Sequence, residues 1–557
     1  MHPIANEFAG WRFSVRRLTY CLLATFLVLA WPAAADEGHA HPGDAGEQLG
    51  TVAFPISCAP AVQNPFNRGV ALLHSFWYEE AEKQFEEIAR KDPKCAMAHW
   101  GVAMSLYHQL WDHPSESSLK RGWEEMRKAE TLGAKAERER GYIAALASFY
   151  RGHDQSDHWV RAGAYSQAMD KVYRENPRDL EAGAFYALSL LASKRPDDTS
   201  LANPKKAVGI LNQLFRQQPD HPGLAHYIIH SCDTPQLASM GLEAARRYAA
   251  IAPTAAHAVH MPSHIFARLG LWQEDVESNL KSVEATHRAD AMHKGGSGHQ
   301  LHAMHFLIYA YLQTGQDAAA RQQVDEAKNI VAQLRAAPHS EDASEDYDYE
   351  LAHFPALYAL ETRDWSAAAA LKPLAQAAPV YQAITYWART IGTAHLGDAA
   401  GARREAQQFA AMEEAARKSK DAYMLEGPDF ARDEVEAWVD FAEQKHDEAL
   451  RRMRAAADLQ DKVGKAEVDI PAREMLAGML MKLNRPEEAL AEYEASLKTD
   501  PNRFNALYGR AHAAELAHQA DKAAAYYAQL LKNCPDSQRP ELSQARTALQ
   551  KLGAGGQ

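Results

Sequence analysis

The chain has 557 residues, 46% of them hydrophobic, with a formal charge of −13 and five cysteines. The acidic balance argues against nucleic acid and anionic membrane surfaces as partners, since both are bound through Lys and Arg. There is no C-x-x-C, which argues against a thioredoxin-type motif or a zinc knuckle, and no apolar run beyond the N-terminus is long enough to span a bilayer.

Residues 1–35 read as a secretory signal. Arg12, Arg16 and Arg17 form the charged region, Leu18 to Trp31 is a short apolar run, and Ala33-Ala34-Ala35 is an A-x-A cleavage site. Cleavage would remove three Arg and one Glu, taking the formal charge from −13 to −15. The expected location is therefore outside the cytoplasm, periplasmic or secreted, with no membrane span left in the mature chain. Cys58, Cys95, Cys232 and Cys534 remain, and an even number in an exported protein permits disulfides. Residues 36–55 are polar, lack periodicity and read as a disordered leader.

From residue 56 onward the pattern is helical and repetitive. Gly69, Leu72, Ala81, Phe85 and Pro93 occupy offsets 8, 11, 20, 24 and 32 of a 34-residue helical hairpin. Small residues at 8 and 20 let two helices approach, a bulky one at 24 fills the gap, and Pro ends the second helix. The same marks return at Ala207, Leu211 and Pro219, at Ala489, Tyr493 and Pro501, and at Ala523, Tyr527 and Pro535. Strand-like alternation is absent. The expected fold is all-α: a right-handed α-solenoid of tetratricopeptide-like hairpins. Residues 56–340 form its N-terminal and central part, 341–350 an acidic loop, 351–540 the C-terminal part and 541–557 a tail.

Cys58 lies just before the first helix of the first hairpin, and Cys95 just after its second. Those points fall at one end of a hairpin, so a Cys58–Cys95 disulfide is geometrically open; the alternative is a pair of packed free thiols.

The segments FNRGVALLHSFWYEEA, QQPDHPGLAHYIIHSCD, HMPSHIFARLGLW and LHAMHFLIYAYLQTGQ resemble a group of exported bacterial tetratricopeptide-repeat proteins. The resemblance covers about residues 56–535 and rests on HYxIHxxD and HMPSHI motifs. It implies the fold and export and brings no activity with it. It departs at His305, where similar sequences look like Asp, and at Cys232.

Eleven of the 26 histidines lie between Asp220 and Leu307. His226 and His230 are four apart, as are His260 and His264, and each of the second pair follows its counterpart by 34 residues. His302 and His305 repeat the spacing of His257 and His260. Imidazoles at i and i+4 share a helix face and can chelate one cation. Neighbouring helices of a solenoid lie about 8–10 Å apart, within reach of two such side chains. The candidate ligands are therefore His226, His230, His260, His264 and His302, with His305 and Asp233 added; Asp233 can serve as an oxygen ligand or as an acceptor that fixes an imidazole tautomer. Imidazole suits zinc and copper first, and also iron and nickel. Pro262 should start or kink the helix between His260 and His264. The Gly-rich residues 293–298 stand beside the cluster as a candidate lid.

Two other readings compete. In one, the concave face holds a protein or peptide and the histidines and tryptophans are contact groups needing no metal. In the other, the site is a metal-dependent enzyme. No H-E-x-x-H or G-x-S-x-G motif supports a particular reaction, so the balance leans away from an enzyme.

Overall fold

Phe85 shows how the hairpins pack. Its ring lies against Gly69 on the helix Gln63–His74 and against Gly101 on the helix Ala96–Ser105, where an added Cβ would come within 2.7 and 2.2 Å of it. One bulky residue on the intervening helix, Tyr78–Lys91, thus fills notches on both neighbours. In this computed structural model the pattern continues along the chain. The described residues are 47–554, apart from 111–112, 292–296, 337–346, 420–421, 426–428 and 466–467, and among them the regular structure is helical, with no strand. The helical-repeat architecture is as expected, and no described helix is long and apolar enough to cross a membrane.

Several boundaries differ. The expected signal lies outside the described residues. The described end of the expected leader is packed rather than disordered: Phe54 is fully buried, and the Thr51 N–H donates to the Asp220 carbonyl. The expected tail is a helix, Pro540–Ala554, which buries Leu542 and Ala545 against its neighbour. The acidic residues 341–346 lie outside the described set, and Asp348 already begins the helix Asp348–Glu361.

The buried apolar side chains form two clusters that meet at the helix Pro262–Leu269, with Ile265 and Phe266 in one and Ala267 in the other. Contacts across this middle region are not only between sequence neighbours. The Trp272 indole N–H donates to the Asn502 carbonyl, Arg539 pairs with Asp317, and the buried Arg503 guanidinium binds both Glu361 and Glu474. C-terminal helices therefore fold back on the central ones. A simple stack, in which each repeat touches only its neighbours, would not do this. Unpaired, the Arg503 charge would be costly to bury, and two carboxylates supply its partners.

Candidate metal centre

The helix Pro222–Cys232 begins on His221, whose Nδ1 accepts from the Leu224 N–H at 3.2 Å. Pro222 fills the first turn, where a missing N–H costs nothing. His226 and His230 follow one turn apart. The next histidines are divided by Pro262. The helices Ala256–His260 and Pro262–Leu269 are separated only by Met261, and the chain bends there because Pro cannot donate into the turn before it. His257 joins His226 and His230, whereas His260, three residues later, joins His264 and His302. In each set, one ring nitrogen per residue lies within 4.8 Å of the other two.

The tautomers can be argued from the partners. His226 Nδ1 lies 2.6 Å from the His74 carbonyl oxygen. A carbonyl only accepts, so Nδ1 carries the proton and Nε2 presents a lone pair. The Nε2 atoms of His230 and His257 stand 3.1 and 3.2 Å from it. His264 Nδ1 donates to Asp233 Oδ2 at 2.8 Å, and the other oxygen of that carboxylate accepts from Arg268 Nε at 2.9 Å. Burial alone would raise the Asp233 pKa, but Arg268 and His264 outweigh it and hold the group ionised, well below the usual carboxylate range. His260 Nδ1 faces Asn279 Oδ1 at 2.7 Å, and the Asn279 amide nitrogen donates to the Asp275 carbonyl, which fixes the amide orientation. His260 and His264 therefore both direct Nε2 lone pairs at each other, across 3.0 Å.

Two lone pairs at hydrogen-bond distance repel unless a proton or a metal cation lies between them. On the His260 side a proton is disfavoured. Burial first, and neighbouring imidazoles second, depress the pKa values of His226, His257 and His260 well below the ordinary value, and bring His230 and His302 down to about 3. Neutral imidazoles that present Nε2 lone pairs can serve as metal ligands, and His226, His260 and His264 each have the other nitrogen fixed by an outer partner.

One phenyl ring packs on each set. Phe76 lies 4.3 Å from His226 and 5.4 Å from His230 between ring centroids, and Phe306 lies 4.4 Å from His264 and 5.0 Å from His260. Phe76 sits at φ 53°, in the left-handed turn that ends the helix Gln63–His74, where the Trp77 N–H donates to the Leu72 carbonyl. Behind it, His74 and His221 share the carboxylate of Glu181 at 2.8 and 2.9 Å, and the Tyr227 hydroxyl lies 2.8 Å from His74 Nδ1. This buried network holds the His74 backbone that receives His226.

Of the expected ligands, His226, His230, His260, His264 and His302 are brought together. Asp233 is an acceptor for His264, not a first ligand, because both its oxygens are engaged. His305 is a correction. It points to His353 and Tyr349, with ring centroids 4.8 and 5.9 Å away, and belongs to neither set. Cys232 is buried, and its thiol is pushed up to about 12 by burial. His257 is not among the expected ligands, although its spacing to His260 matches that of His302 to His305, and it stands in the first set. Nothing in the sequence marks Asn279, Phe76 or the His74 carbonyl. Residues 293–296 of the candidate lid lie outside the described set. Elsewhere, Cys58 and Cys95 form a disulfide with their Cα atoms 5.0 Å apart. His99 Nδ1 lies 2.6 Å from Glu125, and Trp100 is buried.

A sequence profile described as "Tetratricopeptide repeat" matches residues 77–109 and 475–538. No curated protein matches the chain. Similar solved structures include a human IFIT1 dimer with m7Gppp-AAAA, at 12% identity and TM-score 0.34, covering 78% of this chain and 90% of that one. A monomeric IFIT1 mutant with Gppp-AAAA is similar at 11% identity and TM-score 0.34, covering 83% and 95%.

Proposed function

We propose that this helical-repeat protein acts outside the cytoplasm and binds a transition metal, zinc or copper before iron or nickel, through the Nε2-directed histidines of its central helices. The observation that carries this reading is the 3.0 Å approach of His260 Nε2 to His264 Nε2 with both Nδ1 protons committed elsewhere. A hydrophobic core would be served as well by Leu at these positions, without desolvating imidazoles. A cation is the partner that gives the buried lone pairs something to bind. Protein purified without an affinity tag and reconstituted separately with zinc, copper, nickel and iron(II) should retain metal after desalting. A His260→Ala/His264→Ala double variant should lose metal from the set it disrupts, and so retain less than wild type, while keeping its helical circular dichroism. Retention of no metal in any of the four cases would count against the reading.

The tetratricopeptide matches at residues 77–109 and 475–538 favour one second reading, a scaffold that holds a protein or peptide. It predicts that chelation leaves partner capture unchanged, whereas a metal-dependent scaffold would lose its partner with the ion.

A further inference from the structure

The six histidines form two sets of three, not one set of six. A ligand nitrogen sits about 2.0–2.1 Å from a zinc-sized ion, so the nitrogens around one ion lie within roughly 4.2 Å of each other. Each set comes close to this separation, with its three nitrogens within 4.8 Å of one another. The two sets are also adjacent. The His257 and His260 rings are 6.1 Å apart between centroids, and His230 and His264 are 6.3 Å apart. Each set contributes one half-buried member, His230 to the first and His302 to the second, while the other four are buried. The sets therefore share a wall and are both more open on one side.

The donors are chemically uniform. All six are imidazoles, and the carboxylate beside them, Asp233, is neutralised by Arg268 and hydrogen-bonded to His264. Two divalent ions would place four positive charges in a buried space with no anionic ligand from the chain. Copper(I) halves that charge, accepts three nitrogen donors, and leaves the next coordination position open. Copper also heads the affinity order for nitrogen sites among first-row divalent metals, so its oxidised form is retained.

We propose that His226, His230 and His257 hold one copper ion and His260, His264 and His302 a second, as a pair that takes dioxygen as a shared ligand. The inference rests on the metal-binding reading above and deepens it. The electron count closes within the pair. Each copper(I) gives one electron and becomes copper(II), dioxygen takes both and becomes peroxide, two Cu–O bonds form at the open positions, and no proton moves. The two negative charges of peroxide then offset part of the increased charge on the metals.

The test is an anaerobic titration of the tag-free, chelator-treated full chain with copper(I), followed by admission of air and electron paramagnetic resonance. The expected result is two copper ions per chain before air and, after it, most of the copper silent in the spectrum because two adjacent copper(II) spins couple. His302→Ala should bind one copper and show it in full as copper(II), with helical circular dichroism unchanged. His230→Ala, in the opposite set, should do the same, so that a folding failure of either variant leaves the other to decide. One copper per wild-type chain, or two with full spin intensity, overturns the pair and leaves the metal-binding reading standing. No copper bound at all overturns the pair and counts against a copper site of any kind, while zinc retention in the reconstitution series would still support metal binding.

Discussion

His260 and His264 face each other through Nε2 atoms 3.0 Å apart, while their Nδ1 protons are given to Asn279 and Asp233. Neither ring can then donate to the other. The contact is stable only if something positive stands between or beside the two nitrogens, and that requirement follows from donor counting alone.

Asp233 would act on a metal at this site through His264, to which it is hydrogen-bonded. Its carboxylate fixes the ring tautomer and raises the basicity of Nε2. Asp233→Asn keeps the shape and removes the charge. Metal affinity should fall about 10–100-fold, the range for a lost outer-shell partner, while the number of ions bound at saturation stays the same. Competition titration against a chelator of known affinity measures the first, and elemental analysis the second. A lower stoichiometry would mean that Asp233 is itself a ligand.

Glu434 gives the fold a pH dependence of its own. It is buried, accepts from the Trp387 indole N–H at 2.9 Å, and is raised to about 8, chiefly by burial. A carboxyl raised in the folded state binds its proton more tightly there than in the unfolded chain. Its contribution to stability is thus present in full below the unfolded value of 4.5 and is lost as pH rises towards 8. Glu434→Gln should flatten this part of the profile and raise the melting temperature at pH 8 relative to wild type. Parallel profiles for the two proteins from pH 5 to pH 8 would show that the group titrates normally.

Gly101 tests the packing rule. A Cβ there would come within 2.2 Å of the Phe85 ring, which Gly69 also contacts from the other side. The ring has no free direction in which to move. Gly101→Ala should destabilise the protein by about 1–3 kcal/mol, the usual range for overpacking, measured by denaturant unfolding. An unchanged midpoint would mean that the hairpins slide apart readily.

The Cys58–Cys95 disulfide closes a separation of 37 residues. A loop of that size corresponds to about 4 kcal/mol in the chain-entropy picture. Cys58→Ser/Cys95→Ser should lower the melting temperature accordingly, and thiol counting on denatured, unreduced wild type should find Cys232 and Cys534 as the free thiols of the mature chain. Four free thiols would show the pair to be reduced.

The sequence carried the repeat and most of the cluster, for a reason visible in particular residues. Gly69, Ala81 and Phe85 sit at fixed offsets because helices of a hairpin must approach closely, and His226, His230, His260 and His264 repeat because they occupy equivalent faces. What was not legible depended on tertiary placement. His305 follows His302 at the same three-residue step that separates His257 from His260, yet it packs on His353. His257 enters the first set because it meets His226, 31 residues earlier, across neighbouring helices. Phe76 and the His74 carbonyl come from more than 150 residues away, and the closure of Trp272 onto Asn502 spans 230. No local pattern encodes such contacts. The division of one histidine-rich stretch into two sets of three is therefore a property of the folded chain.

The most direct test of a metal between these lone pairs is anomalous diffraction at the metal edge, from crystals of the full chain reconstituted with copper and, separately, with zinc. The account predicts an anomalous peak about 2.0–2.1 Å from the Nε2 atoms of both His260 and His264. Crystals showing the two rings still in contact, with no anomalous density beside either nitrogen after both reconstitutions, would contradict it.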